Sequence, residues 1–183
     1  MGRTSSGYER ELKELLQGDP ETVDRYARAL DPVDRPVLRQ SQRSPFLVIR
    51  AAGSLGFDLV ALRSEFSFPI EVKASASEVI RFSAASGRAS EQLEAHKASV
   101  DRVGLIVLYA YRKVGHRGGD PWRIYATRGT PRAGRLGLLQ KRIPEMDRTA
   151  EGNAVLRWKD GLPLVRFLEQ VSLLTDSHAQ ART

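Results

Sequence analysis

The apolar residues of this chain change period several times, and each change marks an element. In 6–17, SGYERELKELLQ, Tyr8, Leu12, Leu15 and Leu16 recur at helical spacing and form one stripe, with Ser5 or Ser6 placed to cap it. Glu9 lies at the edge of that stripe, and Glu11 and Glu14 read as facing out beside Lys13. The next stretch, about 18–44, starts a second helix at Asp19-Pro20-Glu21. Val23, Tyr26, Ala27 and Leu30 make its short apolar stripe, which ends at Asp31-Pro32. Arg35, Arg39 and Arg43 then recur every four residues, so a helix here places them on one face.

The pattern then shortens to strands. FLVIRAA at 46–52 reads as a first strand, and 57–63 with 68–75 as a hairpin joined by Arg63-Ser64-Glu65. VIRFS at 79–83 alternates as a short strand, 84–88 is a loop, and 90–102 returns to helix. GLIVLYAYR at 104–112 is the most apolar strand and therefore the central one. WRIYAT at 122–127 closes a hairpin with it, 128–150 reads as irregular, and NAVLRWK at 153–159 as a last strand. A helix over 162–174 buries Leu164, Val165, Leu168, Val171 and Leu174. The chain thus reads as α/β, with a mixed central sheet of about five strands flanked by helices. It is one domain over 1–175 with a helical, basic insert at about 18–44, and 176–183 is a disordered tail.

The hairpin carries the chemistry. Glu71 and Lys73 are two apart and share a strand face, and the hairpin can bring Asp58 back beside Glu71. Two carboxylates and an ammonium at one edge of a sheet are costly unless something pairs with them. One reading is an ordinary edge-strand ion pair. The other is a divalent metal on the carboxylates, with Lys73 holding or polarising a water for phosphodiester hydrolysis.

Composition narrows the classes. There is no cysteine, so there is no disulfide framework, thiolate zinc site or cysteine nucleophile. His96, His116 and His178 are too scattered for a histidine metal site or a Ser/His triad. No apolar run approaches the ~20 residues of a membrane span, and the Gly-rich basic turn at 113–120 lacks the P-loop spacing, which excludes a nucleotide cofactor cradle of that kind. The N-terminus lacks the apolar core of a signal peptide, so a cytoplasmic, DNA-associated protein is expected. The net charge is +7 and is uneven: 35–57 holds four Arg and no acid, and 102–142 holds ten Lys or Arg against Asp120 alone. That asymmetry points to a polyanion, DNA or RNA. For Arg35, Arg39 and Arg43 two readings stand open, an added DNA-contacting arm or a solvated, mobile insert.

The order Asp58, then Glu71-Val72-Lys73 on the next strand, resembles the PD-(D/E)XK nuclease superfamily, with Phe57 where a proline often precedes the aspartate. Gly7-Tyr8-Glu9-Arg10-Glu11-Leu12 upstream, and a strand ending in Arg50, make the chain similar to the archaeal-type Holliday junction resolvases, a family also carried by some viruses and phages. The likeness covers roughly 5–127, interrupted by the insert, which departs from the family pattern.

The resemblance implies a restriction-endonuclease-like fold and a homodimer that binds four-way DNA junctions and makes paired incisions in opposing strands. It implies Mg2+, with Mn2+ as substitute, held by Asp58, Glu71 and the Val72 carbonyl, with Glu9 joining through a second ion or a water. Lys73 would position and help deprotonate the attacking water. Gln92 matches a site glutamine on the helix after the Glu-x-Lys strand. Arg10, Arg50 and Ser54, in the loop Ala51-Ala52-Gly53-Ser54, fall on DNA-binding positions, and Arg39 and Arg43 of the insert join them in the arm reading. The rival classes are a nuclease of this superfamily with another DNA substrate, restriction-like or exonucleolytic, and a non-catalytic DNA-binding protein on the same fold.

Overall fold

A computed structural model describes residues 5–51, 56–64, 66–82, 88–130 and 132–176. Its centre is a six-stranded mixed sheet in the order β1-β2-β3-β5-β6-β9. The strands are β1 (Leu47–Arg50), β2 (Leu59–Arg63), β3 (Phe66–Ser75), β5 (Leu108–Lys113), β6 (Trp122–Ala126) and β9 (Leu162–Pro163). β1, β2 and β3 form an antiparallel meander, with Leu47 opposite Leu62 and Leu59 opposite Ile70. β3 and β5 are parallel, Lys73 facing Tyr111, so the chain must cross over between them. The crossover runs through β4 (Val79–Phe82) and the helix α4 (Arg88–Val103). The sheet has the mixed α/β architecture expected from the sequence, with β5 inside it as its apolar run requires.

Alternation in β3 and β5 divides the core. Phe66, Phe68, Ile70 and Val72, with Leu108 and Ala110, pack beneath α1 (Ser5–Leu16) and α6 (Leu164–Asp176). Tyr109 and Tyr111 point the other way and pack with Leu93 of α4, Phe82 and Leu156. Glu71 and Lys73 alternate with Ile70 and Val72, so they belong to the α4 face.

Several expectations are corrected. The insert is helical as expected but is not a solvated, mobile one: α2 (Pro20–Ala29) and α3 (Asp34–Ser41) bury Val23, Tyr26, Ala27, Leu30 and Leu38 in the same core as α1 and α6. Asp19 caps α2 by accepting from Thr22 N at 2.9 Å, and Arg166 of α6 donates to Asp34. The strand at 153–159 is not part of the main sheet. β8 (Ala154–Arg157) sits between β4 and β7 (Asp147–Arg148) in a separate three-stranded sheet. The span 128–150 therefore contains β7 and also α5 (Gly134–Gln140). The sixth strand of the main sheet occupies the first residues of the expected C-terminal helix. Leu162 precedes Pro163, which disfavours helical backbone there, so α6 begins only at Leu164. The loop residues 84–87 and the tail from 177 lie outside the described residues.

Glu11 does not face out. It is 6% exposed and accepts from Arg112 Nε and from Trp122 Nε1, each at 3.0 Å. Arg112 lies over the rings of Tyr8 and Trp122, which completes a cage around the carboxylate.

Candidate active site

Asp58 is fixed from several directions before any ligand is considered. Its backbone N–H donates to Ile70 O at 3.1 Å, and its carbonyl accepts from Ala51 N at 3.0 Å. Its Oδ2 accepts from Val72 N at 2.7 Å. Two residues earlier, Gly56 has φ +74°, and a Cβ there would meet His96 Nε2 at 3.2 Å. Both facts restrict the position to glycine. The Gly56 carbonyl accepts from Gln92 Nε2 at 2.9 Å and faces His96 Nε2, so α4 clamps the turn that leads into Asp58. Phe57 stacks on the His96 ring at 4.1 Å and 26°. His96 Nδ1 faces the Tyr109 hydroxyl at 3.2 Å. Burial pushes the His96 pKa down, toward the neutral ring that this arrangement uses.

Glu71 has its two oxygens in different company. Oε1 accepts from Lys73 Nζ at 2.7 Å and from Gln92 Nε2 at 3.3 Å. Oε2 is buried and has no hydrogen-bond partner among the described residues. Burial raises the pKa of both Asp58 and Glu71 above the usual carboxylate range. The Val72 N–H bond opposes this at Asp58, and the Lys73 ammonium opposes it at Glu71. The Asp58 charge adds a further push upward at Glu71.

In an extended strand the N–H and C=O of one residue point to the same edge. Since Val72 N–H points at Asp58, its carbonyl leaves β3 on the side of Asp58 as well. The geometry therefore gathers Asp58, Glu71, the Val72 carbonyl, Lys73 and Gln92. Glu9 lies close enough for its charge to push the Asp58 pKa up, but its Oε2 accepts from Arg50 at 2.6 Å. Among the described residues no three His, Asp or Glu side chains form a metal-holding group by themselves.

The remaining site residues are placed as follows. Arg10 is exposed on α1, and Arg50 is half-exposed at the end of β1 in its pair with Glu9. Arg39 is exposed on α3, 3.5 Å from Asp24, and Arg43 is exposed just beyond α3. Ser54 lies outside the described residues, as do Ala52 and Gly53. Sequence reasoning missed the clamp of Gln92 and His96 on Gly56. The His96–Phe57 stack gave no one-dimensional signal, because its partners are about forty positions apart.

No protein-family model matches the sequence, and no curated protein matches it. Among solved structures the chain is similar to Archaeoglobus fulgidus Hjc, a Holliday junction resolvase from an archaeal hyperthermophile. The identity is 20% and the TM-score 0.44, over 75% of this chain and 98% of that one. At that distance the likeness carries no functional argument, and the functional reading stands on the site.

Proposed function

We propose that this chain is a metal-dependent DNA endonuclease that resolves four-way junctions. The observation that carries the nuclease reading is the buried Glu71 Oε2, which no donor among the described residues reaches, in a site whose other occupants are Asp58, a backbone carbonyl and Lys73. A carboxylate oxygen left without a donor and shielded from water costs free energy that a cation would offset. The donors are all hard oxygens, which suits Mg2+ or Mn2+. Mg2+ is commonly held by one or two carboxylates plus substrate phosphate, so two suffice. The fitting holders are Asp58, Glu71 and the Val72 carbonyl. When bound, the ion would supply charge stabilisation at the phosphate and a more acidic water.

The chain's own residues do the rest. Val72 N–H fixes the Asp58 carboxylate, and Gln92 with Lys73 fixes Glu71 through Oε1, leaving Oε2 toward the ligand side. Lys73 Nζ, partly exposed beside Glu71, donates to the attacking water. Its positive charge lowers the cost of that water losing a proton. Arg50, near enough for its charge to bear on Asp58, and Arg10, exposed on α1, would contact phosphate, which positions the strand without reading bases. The junction substrate and the paired incision rest on the motif order Glu9-Arg10, Asp58, Glu71-Val72-Lys73.

The test is a gel assay with Mg2+, a labelled synthetic four-way junction and linear duplex of the same sequence. The junction should be cut at symmetric positions and the duplex left intact. Asp58→Asn, Glu71→Gln and Lys73→Ala should each lower cutting by at least a hundredfold, with junction binding retained in chelator. Degradation of linear duplex from its ends would replace the junction reading with an exonuclease. Full activity in any of the three variants would reject the assigned centre.

A further inference from the structure

Away from the catalytic centre, a cleft of about 230 Å³ opens between α2 and α3, lined by Arg28, Arg35 and Arg39 with Asp24 and Ala27. We infer that this cleft is a second phosphate-backbone site, holding a DNA arm that leaves the catalytic centre; the inference rests on the nuclease reading above.

The charge balance of the cleft is the first support. Three guanidinium groups share it with one carboxylate. Asp24 reaches only Arg39, at 3.5 Å, with both side chains more than half exposed, so it neutralises little. Of the other acids of the insert, Asp19 caps α2 and Asp34 pairs with Arg166, while Glu21 and Asp31 do not line the cleft. Arg35 is held in place because its Nε donates to Leu30 O at 3.2 Å. Its terminal NH groups stay available for a planar, two-pronged grip on phosphate oxygens.

The second support is rigidity. Tyr26 of α2 donates to the buried Asp120, which also accepts from Trp122 N and Val165 N at 2.9 Å each. Leu38 of α3 is fully buried against the core. The three arginines thus stand on elements fixed to the sheet, which lowers the ordering cost of binding.

The third support is placement. Gly119 N donates to Ala29 O at 2.8 Å, so the end of α2, next to Arg28, abuts the turn between β5 and β6. That turn carries the exposed Arg117 and begins at Lys113, which is opposite Ser75 at the end of β3. Lys73 lies two residues before Ser75. Lys113 itself is spent in a pair with Glu78, so the basic groups that continue along this end of the sheet are Lys73, Arg117 and Arg28. A backbone phosphate chain entering the centre can continue along that end into the cleft.

The experiment is fluorescence anisotropy on the full chain in chelator, with a labelled four-way junction, across a series of KCl concentrations. The triple variant Arg28→Gln, Arg35→Gln, Arg39→Gln should bind about tenfold or more weakly at 0.1 M salt. Its slope of log affinity against log salt should be shallower by about 2–3. Asp24→Asn should shift affinity the opposite way, a few-fold tighter. Arg25→Gln, on α2 but outside the cleft, controls for a general loss of charge, and circular dichroism checks folding of every variant. Wild-type affinity and slope in the triple variant would overturn the inference. So would micromolar binding of inorganic pyrophosphate by calorimetry with DNA affinity untouched by the triple substitution, which would make the cleft a small-anion site. Because binding is read without metal, the outcomes separate. Junction cutting with an arginine-independent affinity removes the cleft alone; arginine-dependent affinity without any cutting removes the nuclease reading alone.

Discussion

Glu71 and Asp58 are held where burial disfavours their charge. The sign of the resulting pH effect is fixed. A carboxylate whose pKa is raised on folding binds more protons folded than unfolded between its two pKa values, so stability falls as pH rises through that interval. In metal-free protein these two groups therefore cost stability at neutral pH. Asp58→Asn keeps an oxygen to accept the Val72 N–H bond while removing the charge. It should raise the Tm at pH 7 by about 2–4 °C, the shift that about 1 kcal/mol gives in a chain of this size. The gain should vanish below about pH 4, where the unfolded aspartate is itself protonated. Millimolar Mg2+ or Mn2+ should raise the wild-type Tm and leave the variant unmoved. Scanning calorimetry with and without chelator reads all of this. A variant less stable than wild type at pH 7 would mean that the Asp58 charge is satisfied within the fold, and would remove the case for a cation there.

At the scale of elements, α1 shows both what a sequence discloses and what it hides. Its apolar stripe follows from spacing alone, while the position of Glu9 near Asp58 was implied only by the family resemblance. Glu11 was legible in part: it stands three residues after Tyr8 and four before Leu15, inside the stripe rather than outside it. Its partners, Arg112 and Trp122, are about a hundred positions away, and no local pattern announces them. The same limit explains the second sheet, where β4 and β8 lie far apart in sequence yet pair residue for residue. Hairpin β2–β3, by contrast, is local, and Asp58, Glu71 and Lys73 could be read from it. A helix turns about 100° per residue, so Glu9 and Glu11 point some 200° apart and do different work. Glu9→Gln should leave the Tm within a few degrees and lower junction cutting strongly. Glu11→Gln removes the buried negative charge that compensates Arg112 and should cost about 3 kcal/mol, roughly 6–12 °C of Tm. Where it remains folded at low temperature, it should retain junction affinity. Equal Tm losses in the two variants would place α1 in a different rotation from the one described.

For the whole molecule, two incisions in opposing strands require two centres, and this chain offers one. A two-fold dimer would supply the second. Several apolar residues away from this site are spent in the core, Phe82 being 2% exposed and Leu139 0%, while Leu138 remains half-exposed. The structure leaves a different surface open. On β1, Leu47 is 60% exposed and Ile49 51%. They are paired across β2 with the half-buried Leu62 and Val60, and through these with Ser67 and Pro69 of β3. That row continues along the same face of β3 to Glu71 and Lys73. β1 is also an edge strand of the sheet, with no strand on its outer side among the described residues, and such an edge with outward apolar residues is a ready template for a second strand. A second copy of this chain would fit it, because antiparallel pairing of β1 with β1 is self-complementary and would set the two sites on one common face. Light scattering should give a dimer at micromolar concentration, and Leu47→Lys with Ile49→Lys should give a folded monomer. That monomer should still bind junction with a steep salt dependence, since the basic surface is intact. On a supercoiled cruciform plasmid it should nick one strand, where the wild type makes a linear product. A wild-type monomer, alone and on the junction, that nonetheless cuts both strands in one encounter would rule out the seam and the paired-centre account together.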